Sequence, residues 1–321
     1  MNTVSKPLIS LVIPVYNEEA NIDLFYSTVN KELEALNDRF CFEFIFTDNH
    51  STDNTFAKLQ AIATQDPRLR VIRFSRNFGY QRSILTGYLS ATGQAAIQLD
   101  CDLQDPPQMI AQFLEKWQEG YKVVYGIRSQ RKEGMVINAT RKIFYRLIDL
   151  LSDTRLPHDA GDFRLIDRCI IEVLMNLNDN QPYLRGTIAR IGFKQVGIPY
   201  SRDERKHGES KFSFSELLRL AIDGITNQSV IPLRLATYTG IIVFLLMLFG
   251  TIFSIIAKYV GGSQWPAGFA TIIILILFSI GLNALFLGII GEYLGRIYKQ
   301  VKPEPITIAE EKILSTKETS K

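Results

Sequence analysis

The sequence predicts an α/β fold: a mostly parallel sheet with flanking helices, followed by an apolar C-terminal hairpin. Three observations lead there. Short apolar, β-branched runs alternate with helical stretches of about 10–15 residues from Leu8 to Gly126, the pattern of βα units. Several of these runs end on polar turns rich in Asp and Asn. The chain then carries no charged side chain from Leu235 to Ala257 and none from Tyr259 to Gly291. Each of those stretches can cross a bilayer core, which needs about 20 apolar residues.

The elements follow in order. Leu8 to Val15 is an apolar strand that runs into the polar turn Tyr16-Asn17-Glu18-Glu19, and a helical pattern extends from Ala20 to Leu36. Phe42 to Phe46 is a second strand, ending on Thr47-Asp48-Asn49-His50-Ser51-Thr52-Asp53, where Ser51 or Thr52 is suited to N-cap a helix running to Ala63. Leu69 to Phe74 is a third strand, followed by Arg76-Asn77-Phe78-Gly79 and a helix to about Ala91. Ala95 to Leu99 is the fourth and stops on Asp100-Cys101-Asp102, with Pro106-Pro107 ending the register; Lys122 to Gly126 is the fifth. In parallel sheets ligands sit at the carboxyl ends of the strands. Asp48, Arg76, Asp100 and Arg128 all fall at or just beyond such ends, so one cleft can gather them.

Bulk properties exclude several classes. The 321 residues suffice for one sizeable core plus an appendage, and a net charge of +3 with no arginine stripe among aromatics gives no reason to expect nucleic acid. Cys41, Cys101 and Cys169 are odd in number and scattered, without a C-x-x-C, which fits a reducing compartment better than disulfides or zinc. No G-x-G-x-x-G follows the first strand and no G-x-x-x-x-G-K-[ST] occurs, so dinucleotide and P-loop readings lose their main feature.

The two charge-free stretches predict membrane spans at about 235–257 and 268–291, joined by a turn around 258–266 with Tyr259 and Trp265 suited to the far interface. Arg219 and Arg234 precede the pair and Arg296, Lys299 and Lys302 follow it, against Lys258 in the turn. That bias places both flanks, and the N-terminal domain 1–211, in the cytoplasm of a plasma-membrane protein. Residues 212–231 have apolar positions near helical spacing and read as an interfacial helix. The charged tail 301–321 reads as a short helix or a disordered cytoplasmic end.

Two carboxylates one residue apart at a strand exit, Asp100 and Asp102, can share a hard divalent cation, Mg²⁺ or Mn²⁺, that keeps positions open for phosphate oxygens. The alternative is an acidic turn capping the helix that begins near Pro106. Cys101 is expected to point into the core. Glu18 fits the first turn of the following helix, where the macrodipole favours acids. Arg76 and its neighbours shape the cleft or form a solvated loop.

Read together, Ser10-Leu11-Val12-Ile13-Pro14-Val15-Tyr16-Asn17-Glu18-Glu19, Thr47-Asp48-Asn49-His50-Ser51-Thr52-Asp53 and Asp100-Cys101-Asp102-Leu103-Gln104-Asp105-Pro106 resemble three successive motifs of family-two inverting glycosyltransferases. With Gly161-Asp162-Phe163-Arg164-Leu165, Gly208-Glu209-Ser210-Lys211-Phe212 and Gly291-Glu292-Tyr293-Leu294-Gly295-Arg296, the chain is similar to polyprenyl-phosphate glycosyltransferases, dolichol-phosphate mannose synthases among them. The hairpin brings it nearest to bacterial undecaprenyl-phosphate glucosyltransferases. The resemblance implies a GT-A-type fold, a nucleotide-sugar donor such as UDP-glucose, a polyprenyl-phosphate acceptor in membrane lipid, and release of UDP. It is compatible with a homo-oligomer. It further implies that Pro14, Tyr16 and Glu18 line the base end of the donor pocket and that Asp48 accepts from the base. The metal is expected on Asp102, helped by Gln104, with Asp100 reaching ribose or metal, and Asp162 near the acceptor.

A hydroxyl acceptor needs a general base, and Asp159 or Asp162 could serve. A lipid phosphate is already anionic and instead needs cations, for which Arg128, Arg202 and Lys211 are the preferred candidates. His158 reads as a local hydrogen-bonding residue rather than a base, and His50 and His207 have no stronger claim. Rival readings are a mannosyl or amino-arabinosyl transferase using another nucleotide, a processive synthase, disfavoured by the lack of Q-x-x-R-W, and a non-catalytic nucleotide-sugar sensor tethered to the membrane.

Overall fold

In a computed structural model, the structure describes residues 6–128, 160–177, 179, 182–201, scattered positions from 233 to 256, and 269–302 with 304–313. The described residues fall into two compact units, one within 6–128, 160–201 and 304–313 and the other within 233–302.

The first unit is built on an eight-stranded sheet. Its elements are β1 (Leu8–Val15), α1 (Ile22–Glu34), β2 (Cys41–Asp48), α2 (Thr55–Gln65), β3 (Leu69–Phe74), α3 (Tyr80–Ser90), β4 (Ala95–Gln98), α4 (Met109–Gln118) and β5 (Val123–Arg128). After residues 129–159 come β6 (Ala160–Asp167), α5 (Arg168–Asn176), α6 (Leu184–Ile191) and β7 (Gln195–Tyr200). The second unit holds α7 (Phe269–Val301), and the sheet receives a last strand, β8 (Ala309–Ile313).

Strand order is β7-β5-β6-β4-β1-β2-β3-β8. The pairs β1–β2, β1–β4, β2–β3 and β5–β7 are parallel, as the alternating pattern requires. Three pairings are antiparallel: β4–β6, β5–β6 and β3–β8. Alternate residues of β1 feed opposite faces. Leu11 and Ile13 join Phe25, Phe44, Phe46 and Phe113 in one core cluster, while Val12 joins Ile45, Phe74, Ile84, Tyr88 and Ile166 in the other. The result is three layers, α/β/α.

Two local expectations are corrected. The helix after β2 is not capped by Ser51 or Thr52. Asp53 Oδ1 accepts from Thr55 N at 3.0 Å, and the Ser51 hydroxyl instead donates to Asp48 Oδ1 at 2.5 Å. The tail is neither helical nor disordered where it is described: residues 309–313 form β8, antiparallel to β3 with Val71 opposite Ile313 and Ile72 opposite Lys312. Ile313 packs against the first core cluster and Ile306 against the second. Its charged sequence suits an edge strand, which must resist pairing with other chains.

In the second unit, α7 contains at Phe278–Gly295 a stretch long and apolar enough to cross a membrane, with none of it buried inside the protein. Among the described positions of the first expected span, Ala236 to Val243, Leu245, Leu246, Phe249, Ile252 and Ile256 are helical. The interfacial helix at 212–231, the turn at 258–266, His158 and His207 lie outside the described residues.

Candidate active site

The exits of β1, β2 and β4 open onto one side of the sheet, and a cleft of about 330 Å³ lies there. Pro14, Val15, Tyr16 and Glu18 line it from β1 and its turn, Asn49 from the end of β2, Asn77, Gly79 and Tyr80 from the turn into α3, and Asp100, Cys101 and Asp102 from the exit of β4. Tyr16 is 46 % exposed and offers a ring to a ligand. Three non-glycine residues with left-handed backbone flank these walls: Asn17 (φ 55), His50 (φ 64) and Leu103 (φ 56). Such conformations persist only where surrounding bonds hold them. Asn17 Oδ1 accepts from Thr52 N at 2.8 Å, and His50 Nδ1 lies 3.0 Å from Phe74 O.

Asp100 and Asp102 both line the cleft at the exit of β4. Asp100 Oδ1 accepts from the Tyr80 hydroxyl at 2.5 Å and from Gln98 Nε2 at 2.8 Å, while Asp102 Oδ1 accepts from the backbone of Gln104 at 3.1 Å. Cys101 is 2 % exposed and belongs to the core cluster, although it also touches the cleft. Burial pushes the Asp100 carboxyl up to about 6; the Tyr80 hydroxyl opposes this, and the charges of Asp105, Asp102 and Asp162 add to it. Two carboxylates on one cleft wall, Asp100 and Asp102, are the chemistry a hard divalent cation relieves. Among the described residues no group of three or more His, Cys, Asp or Glu side chains converges on one point. Two protein carboxylates fit a cation whose remaining positions go to phosphates and water.

Asp162 stands beside this pair. The β4–β6 register sets Gln98 opposite Arg164, so Asp162 falls level with the exit of β4. Arg185, from the first turn of α6, grips both of its oxygens at 3.0 and 2.7 Å. Burial raises the Asp162 carboxyl, but the hydrogen bonds and charge of Arg185 outweigh that and hold it below the usual carboxylate range.

Other expected residues lie elsewhere. Asp48 is fully buried and does not line the cleft; its Oδ1 accepts from Ser51 N at 3.0 Å and from the Ser51 hydroxyl, and its Oδ2 lies 3.9 Å from Arg73 Nε. Its neighbour Asn49 is the residue that reaches the cleft. Arg76 lies over the Phe78 ring at 4.1 Å and is not part of the lining, whereas Asn77 and Gly79 are. Gln104 is buried and also outside the lining. Arg128 ends β5, where its Nε donates to the Tyr200 hydroxyl at 3.3 Å; that hydroxyl donates in turn to Asp105. The Arg128 guanidinium lies so close to Gly161 that a Cβ there would sit 3.0 Å from Nη2. Asp159, Arg202 and Lys211 lie outside the described residues. Tyr80, Asn49, Arg185 and Tyr200 are site residues that sequence reasoning did not single out. Asn49 lies within the Thr47-Asp48-Asn49-His50-Ser51-Thr52-Asp53 motif, whereas Tyr80, Arg185 and Tyr200 fall in none of the quoted motifs.

These features, carboxylates at a strand exit over a nucleotide-sized cleft in an α/β/α sandwich, meet a direct sequence match: residues 10–175 fit the profile of glycosyl transferase family 2. The chain belongs to that family and is a glycosyltransferase. Its relatives run nearly full length. It is 39 % identical to an uncharacterised glycosyltransferase, YkcC, of Bacillus subtilis over 94 % of this chain and 93 % of that one. It is 37 % identical to a bactoprenol glucosyl transferase of Shigella phage SfX, over 92 % and 97 %. Among solved structures, glucosyl-3-phosphoglycerate synthase of Mycobacterium tuberculosis, described with Mn²⁺, UDP and phosphoglyceric acid, aligns with TM-score 0.46 and 22 % identity over 68 % of this chain and 76 % of that one.

Proposed function

We propose that the protein transfers a hexose with inversion, glucose from UDP-glucose, to polyprenyl phosphate, releasing UDP at the cytoplasmic face of the plasma membrane. The observation that carries this is the pair Asp100 and Asp102 on one cleft with Pro14, Tyr16 and Glu18, where burial first, and the neighbouring acids after it, keep Asp100 from ionising readily. The bactoprenol glucosyl transferase relatives support the choice of sugar and acceptor. Asp100 and Asp102 would hold Mg²⁺ or Mn²⁺, which supplies positive charge to offset the charge developing on the leaving diphosphate.

The chain's own groups do the rest. The Tyr80 hydroxyl and the Gln98 amide fix the Asp100 carboxylate so that it faces the cleft in one orientation. Tyr16 and Asn49 give the nucleotide a ring face and an amide. A phosphate acceptor brings its own negative oxygen to the anomeric carbon, opposite the departing UDP, so no base is needed. Asp162 agrees with this, because a carboxylate held below its usual range by Arg185 is a poor proton acceptor. It orients Arg185 instead. The acceptor's phosphate oxygens are assigned to Arg128, which the Tyr200 hydroxyl steadies at the end of β5, with Arg202 and Lys211 as its proposed partners. Helix α7, with a first span before it, keeps the enzyme at the bilayer where such a lipid presents its head.

The test is incubation of membranes carrying the full-length protein with polyprenyl phosphate and a panel of labelled nucleotide sugars, with and without a chelator. Lipid-linked glucose from UDP-glucose alone, lost on chelation, is the expected result. Label reaching lipid only from another donor, or transfer indifferent to the chelator, would overturn it.

A further inference from the structure

One wall of the cleft leans on β8, a strand encoded at the far end of the chain. At the turn that carries Asn77 and Gly79, Ser75 N donates to Ile308 O at 2.9 Å, just before β8 begins. The Thr86 hydroxyl on α3 meets that of Thr307 at 2.9 Å. At the turn that carries Asn49, Glu310 Oε2 lies 3.4 Å from His50 Nδ1 and 3.6 Å from Arg73 Nε. Arg73 also lies over the Phe56 ring at 4.5 Å, and its Nη2 reaches Ser51 O at 3.4 Å. Arg73 therefore stands between two carboxylates, Asp48 on β2 and Glu310 on β8. The two turns are joined to each other, because Phe78 N donates to Asn49 Oδ1 at 3.1 Å.

This arrangement has a directional consequence. Asn49 enters the cleft from a backbone whose next residue, His50, is left-handed, and such a conformation depends on what surrounds it. Glu310 reaches both groups that brace that turn, as a counter-charge to Arg73 and a close neighbour of the His50 ring. We propose that Glu310 is a positioning residue for the nucleotide: through His50 and Arg73 it sets the β2 exit turn, so that β8 is a working part of the donor site. The inference rests on the reading of the cleft as the nucleotide-sugar pocket.

Glu310 is exposed and Arg73 partly so, and ion pairs of that kind add little to global stability. The effect therefore belongs in donor affinity. In the full-length protein, Glu310→Gln raises KM for UDP-glucose about three- to fivefold, the scale of one lost exposed charge contact. It leaves kcat, KM for polyprenyl phosphate and the melting temperature close to those of the parent, and Glu310→Asp recovers part of the loss. UDP binding, followed by titration calorimetry, weakens by the same factor in Glu310→Gln. An unchanged UDP affinity in Glu310→Gln overturns the proposal. So does a drop in melting temperature with kcat and both KM values affected together, which marks a strand that only supports the fold. If the parent protein transfers no glucose, the functional reading fails, while the UDP titration still decides the role of Glu310.

Discussion

Asp100 shows how a single side chain can serve chemistry at a cost to the fold. Its ordinary value is 3.8, and burial lifts it to about 6 against the opposing hydroxyl of Tyr80. A carboxyl raised on folding holds its proton longer in the native state, so stability falls as pH rises from about 4 to about 6 and the penalty is complete above that. Two units correspond to about 3 kcal/mol at most, and the opening to the cleft reduces this to about 1–2 kcal/mol. Asp100→Asn keeps the oxygen that accepts from Tyr80 and removes the charge. In chelator it is expected to raise the melting temperature at pH 7.5, with the gain gone near pH 4, while abolishing transfer. Thermal denaturation at both pH values checks this, and a lower melting temperature at pH 7.5 would refute it. The Asp-x-Asp pair was legible in the sequence because a strand exit announces itself through an apolar run meeting prolines. Tyr80 and Asn49 were not, because their relevance depends on two turns from different strands meeting across space.

At the scale of elements, helix α3 must lie flat on β1. A Cβ at Gly87 would stand 2.3 Å from Val12 Cγ1, so only glycine permits the approach. In an exposed helix the exchange of Gly for Ala is worth about 1 kcal/mol of stabilisation. Here overpacking reverses the sign, and Gly87→Ala is expected to destabilise by about 1–3 kcal/mol in urea denaturation. A gain in stability would mean that α3 can shift freely, and the placement of Tyr80 at its first turn would lose its support. The βα elements through β5 were readable because their apolar periodicity is local. Strand β6 was seen only as a motif, and β8 was misread, since Ala309-Glu310-Glu311-Lys312-Ile313 shows no apolar alternation and its partner β3 lies far away along the chain. An edge strand needs one neighbour and little burial, so composition carries almost no trace of it.

For the whole molecule, the boundary drawn from composition at residue 211 divides the sheet from its own last strand. A chain ending at 211 exposes the outer edge of β3, whose unpaired backbone groups invite other strands. Such a fragment is expected to self-associate with rising concentration and to bind UDP more weakly than the full chain, as followed by light scattering and calorimetry. A monodisperse fragment with undiminished UDP affinity would show β8 to be dispensable. The placement of β8 also orders the protein's birth. A ribosome must finish the long apolar helix, and release that segment to whatever receives it, before the last pleat of the sheet exists. Newly made protein therefore gains the last brace of its sheet, and of the turns that β8 touches, only after the apolar helix has been translated.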